Sequence, residues 1–386
     1  MNNINVSDIL KATGGKLIQG DSELPINGIS TDTRSIKHGE IFFALEGKNY
    51  DGHKFVEQAI HNGAAGAVIS SGKKSAYSFH NGFKKCALLE VADTLRALGD
   101  LAKFYRNSLP TSFIAVTGSN GKTTTKDMAY HVLGNFKSVS RSRKSFNNFI
   151  GVPLTIFETE ITHDFCIVEM GTNAPGEIKR LSEIIFPDLA ILTNISNTHL
   201  EGLGSIEGVA SAKSEFIENM AEDGTLITNA DDDWCNQIAN RFNGKVISFG
   251  FNQSADIKAS NVKRDDSGFV FTVNDSLTVN LPVFGKHNIY NALAVIAMCD
   301  AVGVGIEVIC DKFIDFKLPP MRMEKQICGG IVVVNDGYNS NPSSMSSALD
   351  EFSQWMTSGR KVLICGDMLE LGNYAERLHK EVGAKV

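Results

Sequence analysis

Apolar runs separated by glycine-rich or polar turns recur along the whole chain and predict alternating strands and helices. Near the N-terminus, residues 7–13 have helical spacing, with Ser7 as the expected N-cap and Gly14 after the last turn. A strand, a helix and a second strand follow at residues 41–45, 53–61 and 65–70. The polar, glycine-bearing stretch 70–82 breaks this pattern, so we expect the first domain boundary there.

A second series of apolar runs predicts a parallel sheet. The run at 113–116 leads through a glycine-rich turn into helical spacing over 122–133. Further buried-strand runs at 165–168 and 189–192 are separated by helical segments, which is typical of parallel strands joined by crossovers.

The later part of the chain changes character. Short alternating stretches over 256–281 predict antiparallel β-structure, and 288–300 has helical spacing. A buried strand is expected at 331–334, and a second strand followed by a turn at 360–365. We therefore expect an α/β protein of three domains, with bounds at residues 1–82, 83–313 and 314–386.

Composition narrows the classes of function. The formal net charge of −7 argues against a nucleic-acid partner, and no apolar run reaches the roughly 20 residues of a membrane helix. The first 15 residues lack the apolar stretch of a secretory signal, so we expect a cytoplasmic protein. The seven cysteines form no CxxC pair, which argues against a disulfide framework or a zinc site.

The sharpest motif is FIAVTGSNGKTTT at residues 113–125. Backbone N–H groups of such a turn bind phosphates, Lys122 reaches the terminal phosphates, and the Thr123 hydroxyl can hold Mg²⁺. The strict phosphate-loop pattern has glycine where this chain has Val116. The strand, turn and helix together nevertheless predict binding of ATP or GTP.

Polar residues follow two other predicted strands at the same edge of the sheet. Glu169 follows the run 165–168, and His199 ends the segment NISNTH after the run 189–192. Both residues suit a metal that bridges nucleotide phosphates. The alternatives are a helix-capping carboxylate for Glu169 and a hydrogen-bonded structural role for His199.

Lys213 lies in the middle of an apolar helical stripe formed by Ile206, Val209, Phe216 and Met220. Burial disfavours the ammonium form, and a neutral amine can react with CO₂ to give an anionic carbamate that binds metal. The spacing alone favours the alternative, in which the side chain extends along the helix to solvent.

Polar clusters beyond the central motif are further candidates. His287, Asn288 and Asn291 surround the start of the helix at 288–300, where they can cap it or contact an adenine edge. Arg322 precedes a predicted strand. Asp336, Asn339 and Asn341 follow the strand at 331–334 in a segment that is otherwise an ordinary turn by composition.

Taken together, these residues resemble the Mur ligases, the ATP-dependent amide-forming enzymes of peptidoglycan precursor synthesis. The resemblance covers the whole chain. Its segments are STDTR (30–34), GEIFFALEG (39–47), DGH (51–53), TGSNGKTT (117–124), SFNNFIGVP (145–153), VEMG (168–171), NTHLE (197–201) and GDMLELG (366–372).

The resemblance implies a three-domain architecture: an N-terminal UDP-sugar-binding α/β domain, a central P-loop parallel-sheet ATPase domain and a C-terminal Rossmann-like domain. The implied catalytic residues are Lys122, Glu169, His199 and Lys213. The implied ATP contacts are Thr117, Gly118, Ser119, Asn120, Gly121, Lys122, Thr123, Thr124, Asn288, Asn291, Arg322 and Asp336.

The same resemblance supplies ligands for metal and substrates. The implied Mg²⁺ ligands are Thr123, Glu169, His199 and Lys213, the last as N6-carboxylysine, so the family favours modification of Lys213 over extension to solvent. The implied substrate contacts are Ser30, Thr31, Asp32, Arg34, Gly47, Asn147, Asn148, Asn339 and Asn341.

Within the family, the segments favour the member that joins D-alanyl-D-alanine to UDP-N-acetylmuramoyl-tripeptide through an acyl phosphate. Folate polyglutamylating relatives usually read GKGS and DGAHNP, and the tripeptide-forming member carries a DNPR segment that this chain lacks. The third domain is expected to be incomplete, because relatives continue beyond GDMLELG. A turnover-impaired binding protein, a tripeptide-forming ligase and an unrelated P-loop switch remain alternatives, and we expect a monomer.

Overall fold

The computed structural model describes residues 4–73, 85–265, 267–355 and 359–386. Its strands are β1 Ile4–Asn5, β2 Lys16–Gln19, β3 Pro25–Ile26, β4 Gly28–Ser30, β5 Glu40–Phe43, β6 Glu46–Gly47, β7 Tyr50–Asp51, β8 Gly66–Ser70, β9 Ala87–Val91, β10 Ser112–Thr117, β11 Val139–Arg141, β12 Phe165–Glu169, β13 Leu189–Leu192, β14 Thr225–Asn229, β15 Lys245–Gly250, β16 Ile257–Arg264, β17 Phe269–Val273, β18 Leu277–Leu281, β19 Glu324–Cys328 and β20 Ile331–Asn335.

The helices are α1 Val6–Thr13, α2 Val56–His61, α3 Thr94–Arg106, α4 Lys122–Leu133, α5 Gly151–Glu158, α6 Glu177–Ile185, α7 Leu200–Leu203, α8 Ile206–Ser214, α9 Asp233–Ala239, α10 His287–Ala301, α11 Ile306–Ile309, α12 Pro342–Ser353 and α13 Ala375–Gly383. The chain divides into two compact units. Met1–Thr111 with Phe146–Asp164 forms the first, and Ser112–Ser145 with Phe165–Val386 forms the second. The predicted boundary after residue 82 lies outside the described residues.

The first unit is built on a sheet in the order β2-β9-β8-β5-β4. Strands β4, β5, β8 and β9 are parallel, and β2 pairs antiparallel at one edge. Helix α1 begins one residue earlier than predicted, and its N-cap is Asn5, whose side chain accepts from the Asp8 N–H in a capping box. The prediction of Ser7 as N-cap is wrong, since the Ser7 hydroxyl instead donates to Asn5 Oδ1 at 2.8 Å.

A short turn around His53 closes the loop between β5 and β8. His53 Nε2 accepts from the Ser70 N–H at 3.0 Å, so Nδ1 carries the proton that is donated to Asp51 at 2.6 Å. Burial raises the pKa of Asp51, but hydrogen bonds from His53 and Lys73 outweigh it and lower the pKa to about 2. This capped turn at Gly52–Phe55 is 3₁₀-helical and precedes α2, where one helix over 53–61 was predicted.

The second unit contains a sheet in the order β11-β12-β10-β13-β14-β15-β16-β17-β18. Strands β11 to β16 are parallel, and β16, β17 and β18 form an antiparallel extension. Both predicted strand types are therefore confirmed. Because β10 lies between β12 and β13, the carboxyl ends of these three strands meet at one edge. Helices α4 and α10 pack together and supply much of the core on one face of the sheet.

The part of the chain after residue 320 departs most from prediction. Strand β20 lies where predicted but is not buried: among the described residues it pairs with β19 alone, and Ile331 is 68% exposed. The strand predicted at 360–365 is wrong, because that segment has no strand pairing and Ile364 is 92% exposed. A run of apolar residues predicts burial, but a β-strand also needs a neighbouring strand to which its backbone can hydrogen-bond.

No helix among the described residues is both long enough and apolar enough to span a bilayer.

Candidate active site

The turn between β10 and α4 is shaped by two glycines with positive φ. Gly118 has φ +141° and lies so close to β13 that a Cβ there would stand 2.0 Å from Thr193 Oγ1. Gly121, with φ +83°, is the N-cap of α4 and offers no side chain to its N–H groups. Val116, where the strict pattern has glycine, is fully buried in β10. No side chain of the described residues caps α4, so the N–H groups of its first turn suit an anionic ligand.

The segment after β13 fixes the backbone of this turn. The Ser119 N–H donates to the Asn194 carbonyl at 2.8 Å, and the Asn120 N–H donates to Asn194 Oδ1 at 3.0 Å. Thr193 Oγ1 donates to the Asn120 carbonyl at 2.6 Å. Sequence reasoning placed the segment at this edge of the sheet but missed Thr193 and Asn194 as anchors of the loop. Their position after a strand adjacent to β10 was the available signal.

Lys122 and Thr123 open helix α4 beneath the turn. Lys122 Nζ donates to the carbonyls of Gly118 and Ser119 at 2.8 and 3.2 Å. Burial lowers the pKa of Lys122; the charge of Glu169 opposes this shift and that of Arg322 adds to it. The Thr123 hydroxyl is buried and accepts from Arg322 Nη2 at 3.1 Å.

Glu169 is the last residue of β12 and is only 1% exposed. Its Oε2 lies 3.7 Å from the Nζ of Lys126, a wholly buried lysine on α4. Lys126 Nζ also lies 3.5 Å from Asp127 Oδ1 and donates to the Lys144 carbonyl. Glu169 does not cap the helix that follows it, because α6 begins at Glu177 with Gly176 as its N-cap. Lys126, which sequence reasoning missed, provides the counter-charge.

His199 begins α7 with a left-handed backbone, φ +53°. Its Nδ1 contacts the Glu370 carboxylate, so the structural alternative of a hydrogen-bonded histidine is compatible with what is seen. Burial lowers the pKa of His199; Glu370 opposes this shift, and the charges of Lys213 and Lys122 add to it. The net lowering favours the neutral form of the ring, in which one nitrogen keeps a lone pair that can bind a metal.

Lys213 lies on α8 and is 0% exposed. Its Nζ makes no hydrogen bond within the described residues. Burial, reinforced by the charge of Lys122, places the pKa of Lys213 well below its ordinary value. The alternative in which the side chain extends to solvent is therefore wrong. A neutral amine without a partner is the form that reacts with CO₂.

Asn288 and Asn291 connect α10 to α4, the helix that follows the turn, through a chain of hydrogen bonds. Asn288 Nδ2 donates to the Phe284 carbonyl at 2.7 Å, and Asn291 Nδ2 donates to Asn288 Oδ1 at 2.9 Å. Asn291 Oδ1 accepts from the Thr125 hydroxyl at 3.1 Å. Neither side chain is the N-cap of α10, which is Lys286 without a side-chain bond. The contact with adenine stays a prediction.

Residues from the C-terminal part of the second unit reach the same turn. Arg322, which bonds Thr123, stacks on the Tyr338 ring with its guanidinium 4.3 Å from the ring centroid. Its neighbours Met321 and Met323 both have positive φ, +61° and +49°. The Met323 N–H donates a hydrogen bond to Asp336 Oδ1 at 3.0 Å. Such backbone persists only where surrounding contacts hold it. Arg322 is therefore presented to the phosphate loop by a constrained turn.

The predicted peptide-substrate residues fall in both units. Asn148, in the first unit, accepts through Oδ1 from the N–H groups of Ile150 and Gly151, just before and at the start of α5. Asn147, also in the first unit, is half-buried. In the second unit, Asn341 caps α12 and donates to Asn120 Oδ1 at 2.7 Å. Asn339 is exposed. Their contact with substrate stays a prediction.

The predicted UDP-sugar residues lie at and just after the end of β4 and, for Gly47, in the hairpin of β6 and β7. Ser30 ends β4 and its hydroxyl contacts the Asp32 backbone, while Thr31 links the two. The Arg34 guanidinium bonds the Asp32 carboxylate in a fork and holds the pKa of Asp32 at about 2. Gly47 faces the Tyr50 ring, which a Cβ would approach to 2.6 Å.

Comparison with known proteins agrees with this geometry. Family models match in order: "Mur ligase family, catalytic domain" over residues 25–106, "Mur ligase middle domain" over 116–299 and "Mur ligase, glutamate ligase domain" over 321–386. A relative from Bacillus subtilis, named UDP-N-acetylmuramoyl-tripeptide–D-alanyl-D-alanine ligase, is 39% identical over 94% of this chain and 78% of its own length.

Solved structures give the same result. A crystal structure of MurF from Acinetobacter baumannii superposes with a TM-score of 0.89 at 31% identity, covering 98% of this chain and 82% of that one. MurF ligase from Thermotoga maritima in complex with ADP superposes at 0.82 with 26% identity, covering 95% of this chain and 83% of that one. These matches to family models, to a named relative and to solved structures agree with the arrangement of the phosphate loop, and the chain belongs to the Mur ligase family.

Proposed function

We propose that this protein is an ATP-dependent ligase that joins D-alanyl-D-alanine to UDP-N-acetylmuramoyl-tripeptide, in the cytoplasm. The tripeptide carboxylate is activated by phosphoryl transfer from ATP, and the dipeptide amine then displaces phosphate to form the amide. The observation that carries the proposal is the meeting of Lys122, Thr123 and Arg322 at one phosphate loop in a member of this family. The relatives' names supply the identity of the two substrates.

The chain's own residues perform three tasks in this reaction. The turn's N–H groups and Lys122 bind phosphate oxygens and orient the transferred group. Arg322 brings a fixed positive charge where negative charge accumulates. The C-terminal part, by covering the loop, keeps water from the activated carboxylate.

The residues around the loop fit a magnesium ion. Thr123 offers a hydroxyl, Glu169 a buried carboxylate and His199 a neutral imidazole, all suitable donors. The Nζ of Lys213, which has no hydrogen-bond partner in the described part of the chain, fits a carbamate, because the added carboxylate converts a buried base into an anionic ligand. In that reaction the amine bonds the carbon of CO₂ and releases one proton. When bound, Mg²⁺ neutralises charge on the phosphate oxygens.

Nucleotide and sugar contacts complete the proposal. In this proposal Asn288 and Asn291 contact the nucleotide base and Asp336 acts with Arg322. The hydrogen bond of Asn291 with Thr125 of α4 and that of Asp336 with the Met323 N–H support these roles. Ser30, Asp32 and Arg34 bind the UDP-sugar in the first unit, with Thr31 and Gly47. Asn147, Asn148, Asn339 and Asn341 contact the peptide parts of the substrates. The protein acts as a monomer.

The test is a reaction with ATP, Mg²⁺, UDP-N-acetylmuramoyl-tripeptide and D-alanyl-D-alanine, followed by phosphate release and product mass. Tripeptides ending in L-lysine and in meso-diaminopimelate are compared. We expect phosphate release only when both substrates are present, with a product one dipeptide heavier. Phosphate release that ignores the dipeptide contradicts the proposal, tight ATP binding without turnover favours a turnover-impaired binding protein, and ligation of a single amino acid favours a tripeptide-forming ligase. The same assay in CO₂-depleted buffer, restored by bicarbonate, tests the carbamate on Lys213.

A further inference from the structure

The segment GDMLELG at 366–372 is seated on helix α7, directly beside His199. The Glu201 N–H donates to the Glu370 carbonyl at 3.0 Å. Met368 and Leu371 anchor the segment, being 5% and 2% exposed. The backbone of Glu370 is thereby held next to the start of α7, far along the chain from the residues it meets.

Two uncommon backbone conformations bring the side chains together. His199 has φ +53° and Glu370 has φ +60°, both in the left-handed region that residues with a Cβ rarely occupy. Each is the residue whose side chain makes the contact, His199 Nδ1 to Glu370 Oε2. Such conformations cluster where surrounding structure imposes a functional geometry.

The contact decides which ring nitrogen carries the proton. A carboxylate oxygen can only accept, so Nδ1 donates its hydrogen to Glu370 and Nε2 keeps its lone pair. Histidines that bind metals commonly donate their other N–H to a carboxylate, which fixes the tautomer and the ring orientation. The Glu370 side chain is about half exposed, 49%, so the contact lies at the surface of the second unit.

We propose that Glu370 is a positioning residue for His199: by docking on α7, the segment 366–372 sets the Nε2 lone pair toward the metal and so completes the magnesium site. The proposal rests on the proposed function, in which His199 is a metal ligand. Its consequence is that docking of the segment on α7 and orientation of the His199 ring for metal binding are one event.

The first test reads the tautomer directly. In the protein without added metal, ¹⁵N NMR of the histidine rings, with H199N to assign the signal, should show His199 protonated on Nδ1. Glu370→Ala should convert this signal to a mixture of tautomers. A His199 ring protonated mainly on Nε2 in the unaltered protein overturns the proposal.

The second test measures affinity for Mn²⁺ by EPR in the presence of a non-hydrolysable ATP analogue. Glu370→Ala should weaken Mn²⁺ binding about 10-fold or more, and Glu370→Gln less, because the amide oxygen still accepts from Nδ1. The matched control is Glu376→Ala, since Glu376 is exposed on α13 and pairs only with Lys380 among the described ion pairs. Thermal unfolding shows that each variant is folded.

The outcomes separate the two proposals. If the unaltered protein forms no peptide product, the proposed function fails, while the tautomer and Mn²⁺ measurements still judge Glu370. If the protein is an active ligase but Glu370→Ala binds Mn²⁺ within about twofold of the unaltered protein, the role of Glu370 is overturned. If Glu370→Ala does not fold, Glu370→Gln and the tautomer of the unaltered protein carry the decision.

Discussion

At the scale of single residues, some of the buried charged residues around the phosphate loop could be predicted from the sequence and others could not. Glu169 was identifiable because it follows a buried strand. Lys213 could not be assigned from its spacing, which by itself favours extension to solvent although the surrounding stripe is apolar. Only the packed structure shows Nζ enclosed. Lys126 was missed because a lysine in a helix is ordinarily exposed, and its partner Glu169 is distant in sequence.

Replacing Lys126 should reveal how strongly it stabilises the buried carboxylate. Lys126→Met leaves Glu169 buried without its neighbouring ammonium, so we expect the free energy of unfolding to fall by about 3 kcal/mol. Urea denaturation measures this loss. Adding Glu169→Gln to the variant should recover part of it, because the uncompensated charge is then removed.

The control for this variant is Lys380→Met, which breaks an exposed ion pair with Glu376. Its stability should stay close to that of the unaltered protein, because exposed ion pairs contribute little. Equal losses from Lys126→Met and Lys380→Met would contradict a special role for the buried pair.

At the scale of elements, agreement was best where one pattern determines the outcome alone. Helix α4 and strand β13 have the predicted bounds, because helical spacing or a buried run is flanked in each case by clear turn residues. The strand predicted at 360–365 failed because pairing depends on a partner that no local pattern specifies. The prediction of the N-cap of α1 was also wrong. Asn5 and Ser7 are both residue types that cap helices well, so the local sequence does not distinguish them, and in the structure Asn5 is the N-cap.

The glycine at the start of the phosphate loop gives a sharp test at this scale. Gly118→Ala must accept a positive φ and also bring Cβ to 2.0 Å from Thr193 Oγ1. Gly176→Ala, at φ +85° with no atom within 4 Å, carries only the conformational cost, roughly 1 to 2 kcal/mol. We therefore expect Gly118→Ala to destabilise the protein more than Gly176→Ala.

Calorimetric titration with ADP completes the comparison. Gly118→Ala should weaken ADP binding at least about 10-fold, because the turn's N–H groups are displaced, whereas Gly176→Ala should bind normally. Normal ADP affinity in folded Gly118→Ala would show that the turn does not hold the phosphates.

At the scale of the whole molecule, the second unit joins its C-terminal part to the phosphate loop through side chains. Arg322 bonds Thr123, Tyr338 bonds Ser145 at 2.5 Å, and Asn341 bonds Asn120. These pairs are separated by about 200 positions, so no local pattern predicts them. The family resemblance predicted the role of Arg322, and the structure adds the constrained turn that presents it.

Arg322 should matter for turnover more than for folding. Arg322→Ala should lower kcat about 100-fold or more, because a charge aimed at the transferred phosphoryl group is lost. Arg322→Lys should recover little, since an ammonium lacks the planar fork that both bonds Thr123 and stacks on Tyr338. The measurement is steady-state kinetics alongside thermal unfolding. Arg377→Ala, which removes an exposed arginine of α13, is the control and should leave kcat unchanged.

The two hydrogen bonds from Lys122 to carbonyls of its own turn have a consequence for the thermodynamics of ligand binding. An incoming phosphate exchanges partners with an ammonium that is already satisfied, so the enthalpy released at Lys122 is small. Hydrogen bonds to Thr193 and Asn194 also hold the turn before a phosphate binds, so we expect little conformational entropy to be lost on binding. Discrimination among anions then depends on the fixed shape of the turn more than on the attraction of one lysine.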